Sequence, residues 1–396
     1  MIKIEDKSLC CGCGACAAAC PVSCIVMKED AEGFAYPEVN TATCIDCKLC
    51  ERVCPFLATE DRPRGKEGFL VINNNTDERK VSSSGGAFSI LARAVINNGG
   101  SVWGAAIDRE YNIRHIEVSN MEGLATLRGS KYVESYLDNS YRLVKERLKT
   151  GMQVVFSGTP CQVAGLRRYL GKTYQGLLLI ETACHGIASR RVWQQSLSEL
   201  CQERGIARNE ITSINFRDKS TGWEHYSFAL TTRNSRYTTR QTAYLRGYGA
   251  NLFLRPSCYR CHVKAAGSYA DITLADAWGI EKESNDACYH DDRGVSFVLP
   301  HTEAGRTAVT TMTNCHIEAI DAEKMLEHNR CITQSVTEPK GRTRFFELFL
   351  SGTSVARSVA EAAPISPLKR IEQLLAPTLR ALGIKGFTNR WRKKKE

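Results

Sequence analysis

The chain has 396 residues, of which 43% are hydrophobic and 24% charged, the composition of a folded globular protein rather than of a disordered or fibrous one. No apolar stretch reaches the roughly 18 residues of a membrane span, and the first residues lack an apolar signal region, so we expect a cytoplasmic protein. The formal net charge is +10, and 18 cysteines in such a chain indicate metal and redox chemistry rather than disulfides.

Two cysteine runs of identical spacing, C-x2-C-x2-C-x3-C-P, open the chain. Bacterial two-cluster ferredoxins have this spacing, and in them the fourth cysteine of each run ligates the other cluster. Zinc sites prefer paired ligands, and disulfides belong to oxidising compartments, so both alternatives fit less well. Cys11 and Cys24 fall outside the runs and are predicted to be bystanders. The spacing therefore predicts two 4Fe-4S clusters, one on Cys10, Cys13, Cys16 and Cys54 and one on Cys20, Cys44, Cys47 and Cys50.

Beyond a charged linker at 60–68, apolar strands alternate with amphipathic helices, and from about residue 211 strands predominate. Strands are predicted at 69–72, 101–107, 153–157, 177–182, 214–217, 226–232, 271–274 and 294–299, and helices at 88–95, 137–148, 161–170 and 189–201. The fold class is therefore α+β, with a ferredoxin-like dicluster domain at 1–60 followed by a mixed α/β flavin-binding core. The core is predicted to comprise an N-terminal part at 68–150 and a C-terminal part at 151–344, with a basic helical tail at 345–396.

Four further cysteines stand in loops that follow predicted strands, beside glycine or proline. Loop cysteines of this kind are well placed to bind metal, and together the four are candidate ligands of a third 4Fe-4S cluster. A four-thiolate zinc site and plain packing of buried thiols remain alternatives. The four are Cys161, Cys184, Cys258 and Cys261.

Three glycine-containing turns lie where they could hold phosphate: Ser82–Gly86, Arg128–Tyr132 and Gly158–Pro160. Free amides at a helix start attract a pyrophosphate, although each turn alone is also compatible with an ordinary loop. Iron–sulfur clusters deliver single electrons, whereas most organic reductions need a hydride, and a flavin converts one into the other. The turns and the cysteines together therefore favour FAD.

Several motifs resemble those of a known family, the beta subunits of coenzyme F420 hydrogenase/dehydrogenase. They are Ser83–Gly86, Gly129–Val133, Ser157–Gln162, Cys184–Gly186, Asn215–Asp218, Arg255–Cys261 and Asp271–Gly279, spread over about 68–344. The resemblance implies an FAD- and iron–sulfur-dependent oxidoreductase that takes electrons from ferredoxin or another donor. Its two-electron acceptor is expected to be coenzyme F420 or another small organic substrate.

The resemblance also implies a cofactor site. FAD is expected near Ser84, Gly85, Gly86, Ser130, Lys131 and Thr159, with Asp276 and Trp278 lining the flavin pocket. His185 and His225 are candidates for delivering a proton to the reduced product. A structural role is the alternative for Asp276 and Trp278 and for both histidines.

Two other functions remain open at this stage. The chain could be a non-catalytic electron-transfer subunit that docks a partner oxidoreductase subunit, or a reductase in surface-polysaccharide biosynthesis. The basic residues between Lys385 and Lys395 could attract an acidic partner or a membrane surface, or could simply be solvated. We expect no nucleic-acid partner.

Overall fold

A computed structural model describes residues 1–58, 60, 62, 64–265 and 267–364 of the chain. The predicted helical stripe from Leu368 to Leu382 and the basic end of the tail lie outside these residues. None of the helices within the described ranges combines the length and the apolar character that a membrane crossing requires.

The first 58 residues form two cysteine-bearing loops around a short hairpin. The elements are α1 (Ala15–Ala19), β1 (Ile25–Glu29), β2 (Ala35–Val39) and α2 (Leu49–Arg52). β1 and β2 pair antiparallel, with Ile25 opposite Val39. The turn of this hairpin inserts Phe34, which is fully buried, into the core formed by the later part of the chain. The cysteine-rich region is therefore packed onto the core rather than merely linked to it.

The core begins with alternating strands and helices. These are β3 (Glu67–Asn73), α3 (Thr76–Val81), α4 (Ala87–Asn97), β4 (Ser101–Ile107), β5 (Ile113–Val118), α5 (Met121–Leu127), α6 (Ser140–Lys149), β6 (Val154–Gly158), α7 (Pro160–Leu170), β7 (Leu177–Thr182) and α8 (Arg190–Arg204).

The rest of the described core contains shorter elements. They are β8 (Ile211–Asp218), β9 (Ser227–Thr232), β10 (Arg236–Thr239), α9 (Ala243–Gly249), α10 (His262–Ala265), β11 (Ile272–Asp276), α11 (Ile280–Glu283), β12 (Ser296–Pro300), α12 (Glu303–Thr310), β13 (Cys315–Asp321), α13 (Ala322–His328), α14 (Arg342–Leu350) and α15 (Val355–Ala362).

An eight-stranded sheet organises the core, in the order β13-β3-β12-β11-β7-β6-β4-β5. Strands β4, β6, β7 and β11 are parallel to one another, and their outer neighbours β5 and β12 pair antiparallel. The carboxyl ends of parallel strands share one edge of a sheet, which is where ligands bind in open α/β sheets. The loops after β6, β7 and β11 therefore meet at this edge.

A second, three-stranded sheet, β10-β9-β8, packs with helices α8, α9, α14 and α15 around an aromatic core. Phe216, Tyr244 and Phe345 are almost completely buried in it. Phe345 belongs to α14, so the described beginning of the predicted tail packs against the core.

The mixed α/β core is confirmed, and every strand and helix predicted from the sequence overlaps an observed one. The sequence pattern did not reveal β5, β10 or β13. β10 and β13 are edge strands whose residues are all exposed or partly exposed, so they lack the apolar run that marks a buried strand.

Candidate functional site

The first predicted cluster set brings its four thiols together. Burial raises the pKa of Cys10 to about 11, and the neighbouring thiols of Cys13 and Cys54 add to the rise. Burial likewise raises the pKa of Cys16, with contributions from Cys13, Cys10 and Cys54. Four thiols that repel one another as thiolates are the arrangement that a bound 4Fe-4S cluster would stabilise.

The second set surrounds a cavity of about 330 Å3 that is lined by Cys20, Cys44, Cys47 and Cys50. Backbone amides point at its sulfurs: the N–H of Ile2 donates to Cys50 Sγ over 3.3 Å. Hydrogen bonds of this kind stabilise cluster-bound thiolates. Cys24 also lines the cavity, with its Sγ 3.4 Å from Cys20 Sγ, so it is not remote from the site as expected for a bystander.

Glycine lets the first loop wrap its cysteines. Gly12 has a φ of +69° and Gly14 a φ of +71°, conformations that residues with a Cβ rarely adopt. A Cβ on Gly12 would also lie 2.3 Å from Nη2 of Arg255, a residue of the core. Gly12 is therefore required both for the turn and for close docking against the core.

The third predicted set also converges. Cys161, Cys184, Cys258 and Cys261 line one cavity of about 350 Å3. Cys161 lies in the first turn of α7 and Cys184 just beyond β7, at the carboxyl edge of the sheet, whereas Cys258 belongs to the short 3-10 helix Pro256–Arg260. The N–H of Ile187 donates to Cys258 Sγ over 3.2 Å.

The size of this cavity favours one of the three interpretations. Packed thiols would leave no cavity, and a zinc ion draws four sulfurs to about 2.3 Å from a single point. A space of about 350 Å3 among four buried or partly buried thiols instead fits a cubane cluster.

Cys11 connects the first set with the third. Its buried thiol is hydrogen-bonded to both Cys13 and Cys161, one residue from each set, and it lines the third cavity together with Phe56. The spacing of the runs could not reveal this, because the contact depends on how the first loop docks against α7.

A large cleft opens beside the third cavity, with a volume of about 2840 Å3 that includes its open mouth. The two share Cys184, Gly186 and Ile187. Nine of the ten residues predicted for the cofactor or for proton delivery line the cleft: Ser84, Gly86, Ser130, Lys131, Thr159, His185, His225, Asp276 and Trp278. Gly85 is the exception. It is wedged between β3 and β12, where a Cβ would lie 2.2 Å from the carbonyl oxygen of Val71.

Serine hydroxyls gather at one end of the cleft. Ser83 Oγ and Ser130 Oγ lie 2.9 Å apart, and the hydroxyl of Ser84 donates to the carbonyl of Val295. Lys131 turns out differently from a phosphate ligand, because its ammonium donates to the carbonyls of Thr126, Leu127 and Arg128 at the end of α5. Burial lowers its pKa to about 7. Lys131 therefore caps a helix.

Aromatic and charged side chains form another wall. Asp276 accepts hydrogen bonds from Arg217 and from Nε1 of Trp223, the latter over 2.8 Å. Trp278 stacks on Trp223 with ring centroids 4.6 Å apart and an angle of 5° between the planes. The carboxylate of Asp276 is thus already neutralised by a guanidinium, and its role toward a ligand is to hold this wall in place.

The two predicted proton donors differ in their surroundings. Nε2 of His185 lies 2.6 Å from Oδ1 of Asn251, and burial lowers the pKa of the histidine, so it is neutral near pH 7. His225 lies in the loop before β9, where its carbonyl accepts a hydrogen bond from Thr221.

A buried polar network beneath the cleft was not predicted. Nδ1 of His115 lies 2.9 Å from Ser135 Oγ, and its Nε2 lies 3.0 Å from the carbonyl oxygen of Ser157. Gln162 donates to Ser135 and accepts from the N–H of Thr159. Burial lowers the pKa of His115 to about 4. The network fixes the loop that carries Thr159 and leads into Cys161, and His115 lacked any sequence motif.

Cysteine loops built for iron–sulfur clusters, joined to an α/β core, define an iron–sulfur electron-transfer protein. Comparison with family models agrees: residues 9–58 match the 4Fe-4S dicluster domain, and residues 151–325 match the C-terminal part of the beta subunits of coenzyme F420 hydrogenase/dehydrogenase. Residues 151–325 therefore belong to that family, and the predicted resemblance is confirmed.

One similar curated protein is the F-type component of a multi-part enzyme, the F(420)H(2) dehydrogenase of Methanosarcina mazei, 24% identical over 239 residues. That alignment covers 54% of this chain and 65% of the relative, so the chain matches just under two thirds of the relative's length. A chain from the F420-reducing [NiFe] hydrogenase complex of Methanosarcina barkeri superposes with a TM-score of 0.44 and 15% identity, over 80% of this chain and 95% of that one. A TM-score of this size does not by itself establish a common fold.

Proposed function

We propose that the chain is an iron–sulfur flavoprotein oxidoreductase. In this proposal it passes electrons from ferredoxin or an equivalent donor through three 4Fe-4S clusters to FAD and on to a two-electron acceptor, coenzyme F420 or another small organic molecule. The third cysteine cavity carries the proposal. It is walled on one side by Cys11 and Phe56 of the dicluster region, and on the other side it shares Cys184 with the cleft.

The second cluster set is the proposed point of entry for electrons. Cys47 is exposed, and the apolar side chains of Val22 and Ile45 beside it are exposed as well. Exposed apolar residues around a redox centre suit brief contact with a donor protein, because such complexes have small interfaces. The first and third sets, linked by Cys11, lead inward from there.

The cleft suits a flavin dinucleotide in size and in chemistry. The hydroxyls of Ser83, Ser84 and Ser130 offer hydrogen bonds to phosphate at one end, and Trp278 offers an aromatic face on another wall. When bound, a flavin exchanges single electrons with clusters and a hydride with organic molecules. Arg217, held by Asp276, keeps a fixed positive charge in the cleft.

His185 and His225 both line the cleft and remain the proposed proton carriers. A neutral imidazole such as that of His185 can accept a proton at one nitrogen and release it at the other. Its hydrogen bond to Asn251 holds the ring orientation needed for that exchange.

Flavin binding is tested with a charged and a neutral replacement at the same position. In Ser130→Asp a carboxylate next to Ser83 would repel a pyrophosphate, whereas Ser130→Asn is similar in size and uncharged. The chains are purified without oxygen, and released flavin is identified by chromatography and counted per chain. We expect one FAD in the wild type and in Ser130→Asn, and a loss of FAD with unchanged iron content in Ser130→Asp. Wild-type protein without flavin would refute the flavoprotein half of the proposal.

A non-catalytic role is the second candidate, and it is favoured by the similarity to one component of a dehydrogenase. In that case the isolated chain would bind FAD but reduce no coenzyme F420 when supplied with reduced ferredoxin. Turnover of coenzyme F420 by the isolated chain would decide for the enzyme. Absence of turnover with full iron and flavin content would decide for the non-catalytic role.

A further inference from the structure

Arg255 is the largest fully buried side chain of the described protein, with no exposed surface. Its guanidinium reaches from the core into the dicluster region. Nη1 donates to the carbonyl of Cys10 over 3.1 Å, and Nη2 donates to the carbonyl of Ala35 over 2.7 Å. Nη2 also donates to Oε1 of Glu134 over 2.9 Å.

The same residue is built into the loops of two cluster sets. Its guanidinium packs against Gly12, between Cys10 and Cys13 of the first set. Its carbonyl accepts from the N–H of Cys258, a member of the third set, over 2.9 Å. Its own N–H donates to the carbonyl of Ile187, which lines the third cavity. The charge of Arg255 therefore lies between the two sites.

The surrounding charges leave a net positive field on the cluster side. Glu134, only 3% exposed, is the counter-ion, but its other oxygen lies 3.3 Å from Nη2 of Arg190. One carboxylate thus faces two guanidinium groups. Arg255 holds the position nearest the cysteine loop, so the positive end of the group points toward the first set.

The second set has no comparable buried charge among the described residues that line its cavity. Its charged groups are Asp46, Lys48 and the amino group of Met1, which pair with one another at the surface. Asp46 is 66% exposed and Lys48 is 53% exposed, so water screens both.

We propose that Arg255 is a fixed positive charge that raises the reduction potentials of the first and third clusters above that of the second. The inference rests on the proposed function, because it requires clusters at all three sets. Each transfer moves one electron, which oxidises the donor by one electron and reduces the receiving cluster by one. Reduction adds negative charge, and a cation in a low-dielectric interior stabilises that charge strongly. Electrons that enter at the exposed second set then run inward.

Mere docking does not explain a buried guanidinium here. Arg342 already ties the hairpin to the core through Glu32, to which its Nη1 donates over 3.1 Å, and it contacts no cysteine loop. Arg342 also donates to the carbonyl of Leu254, the residue before Arg255. It is therefore a matched control for the tethering part of the role.

The test is a redox titration of the full-length chain without oxygen, followed by electron paramagnetic resonance. The third-cluster signal is identified as the one that disappears in Cys258→Ala. In Arg255→Gln we expect that signal, and one of the two dicluster signals, to shift to lower potential. The reduction constant should fall at least tenfold, which is about 59 mV for a one-electron couple. The other dicluster signal should not move.

Three further variants separate charge from packing. Arg255→Lys keeps the charge and should keep the potentials, even if its stability falls. Glu134→Gln removes the counter-charge and should shift the same two signals upward, which keeps the test decisive if Arg255→Gln fails to fold. Arg342→Gln should loosen docking and leave all potentials unchanged.

Potentials that stay unchanged in Arg255→Gln and in Glu134→Gln, with all three signals present, would overturn the inference and leave the proposed function standing. Wild-type protein that lacks the third signal would overturn both.

Discussion

The second and third cysteine sets enclose cavities of similar size, about 330 Å3 and 350 Å3, but they are assembled in different ways. The second set comes from two neighbouring loops of the first 58 residues, and its cysteines follow a fixed spacing. The third set comes from three separate parts of the core, between Cys161 and Cys261, that only the sheet brings together. A local motif can thus be recognised in the sequence by its spacing, whereas an equivalent site built by tertiary structure has no spacing of its own.

The two sets also differ in exposure. Cys47 of the second set is exposed, whereas the third set is covered by Cys11 and Phe56 from the dicluster region. The dicluster region can hold its ligands by local chain geometry, but the third set depends on the loops after β6 and β7 staying in place. Changes that loosen the core should therefore affect the third set first.

Removing one ligand of the third set should have the largest effect. We expect Cys258→Ala to lose about four irons per chain, the content of one 4Fe-4S cluster, while the dicluster signals persist. Bleaching of the flavin by reduced ferredoxin should become slower in the same variant. Cys315→Ala, on the edge strand β13, is the control and should change neither iron content nor rate. Loss of the dicluster signals in Cys258→Ala would mean that the two regions are not independent.

Acid should weaken the core through His115. Its pKa is about 6.5 in the unfolded chain and about 4 in the folded protein, so the unfolded state binds more protons between these values. The stabilisation is complete above pH 6.5 and is lost as the pH falls toward 4, by about 3 kcal/mol in all.

The apparent melting temperature between pH 8 and about pH 4.5 measures this loss. It should fall less steeply in His115→Gln than in the wild type, whereas the exposed His316→Gln should follow the wild type. Because His115 contacts the carbonyl of Ser157, iron of the third set should be released before that of the dicluster. Equal slopes in His115→Gln and the wild type would show that His115 does not carry the acid sensitivity.

Gln162 should have a smaller effect. Its side chain is 5% exposed and holds both Ser135 and the N–H of Thr159. Gln162→Ala leaves these groups without a partner, which costs about 1–3 kcal/mol and should lower iron occupancy at the third set alone. Gln195→Ala, on the exposed face of α8, should stay within about 0.5 kcal/mol of the wild type. Thermal melts and iron counts measure both, and a loss of dicluster iron in Gln162→Ala would contradict the expectation.

The additional cysteines should have the smallest effect. Cys11 touches the third cavity and Cys24 the second, and neither is a predicted ligand. We expect Cys11→Ala and Cys24→Ala to retain the full iron content, with a stability loss of about 1 kcal/mol from the small cavity created. A loss of iron in either variant would make that cysteine a ligand and revise the assignment of its set.

The grouping of the cysteines could be predicted from the sequence, since spacing and loop position are properties of the chain itself. Nine of the ten residues predicted for the cofactor or for proton delivery do line the cleft, because loops after parallel strands meet at one edge. The prediction failed where a role depends on a partner that only the fold supplies. Lys131 carries the charge expected of a phosphate ligand, but its donors are used by the end of α5, and Gly85 packs between strands.

Arg255 and His115 show the same limit from the other side. Both are decisive buried groups, yet no motif marks His115, and Arg255 was visible only as part of a family motif. Their importance comes from burial and from contacts with Cys10, Glu134 and Ser135, which no local pattern contains.

Iron and acid-labile sulfide, counted per chain in wild-type protein purified without oxygen, test the central claim of a third cluster between the dicluster region and the cleft. Three 4Fe-4S clusters predict about 12 of each. About eight of each, the content of the dicluster region alone, would contradict the account.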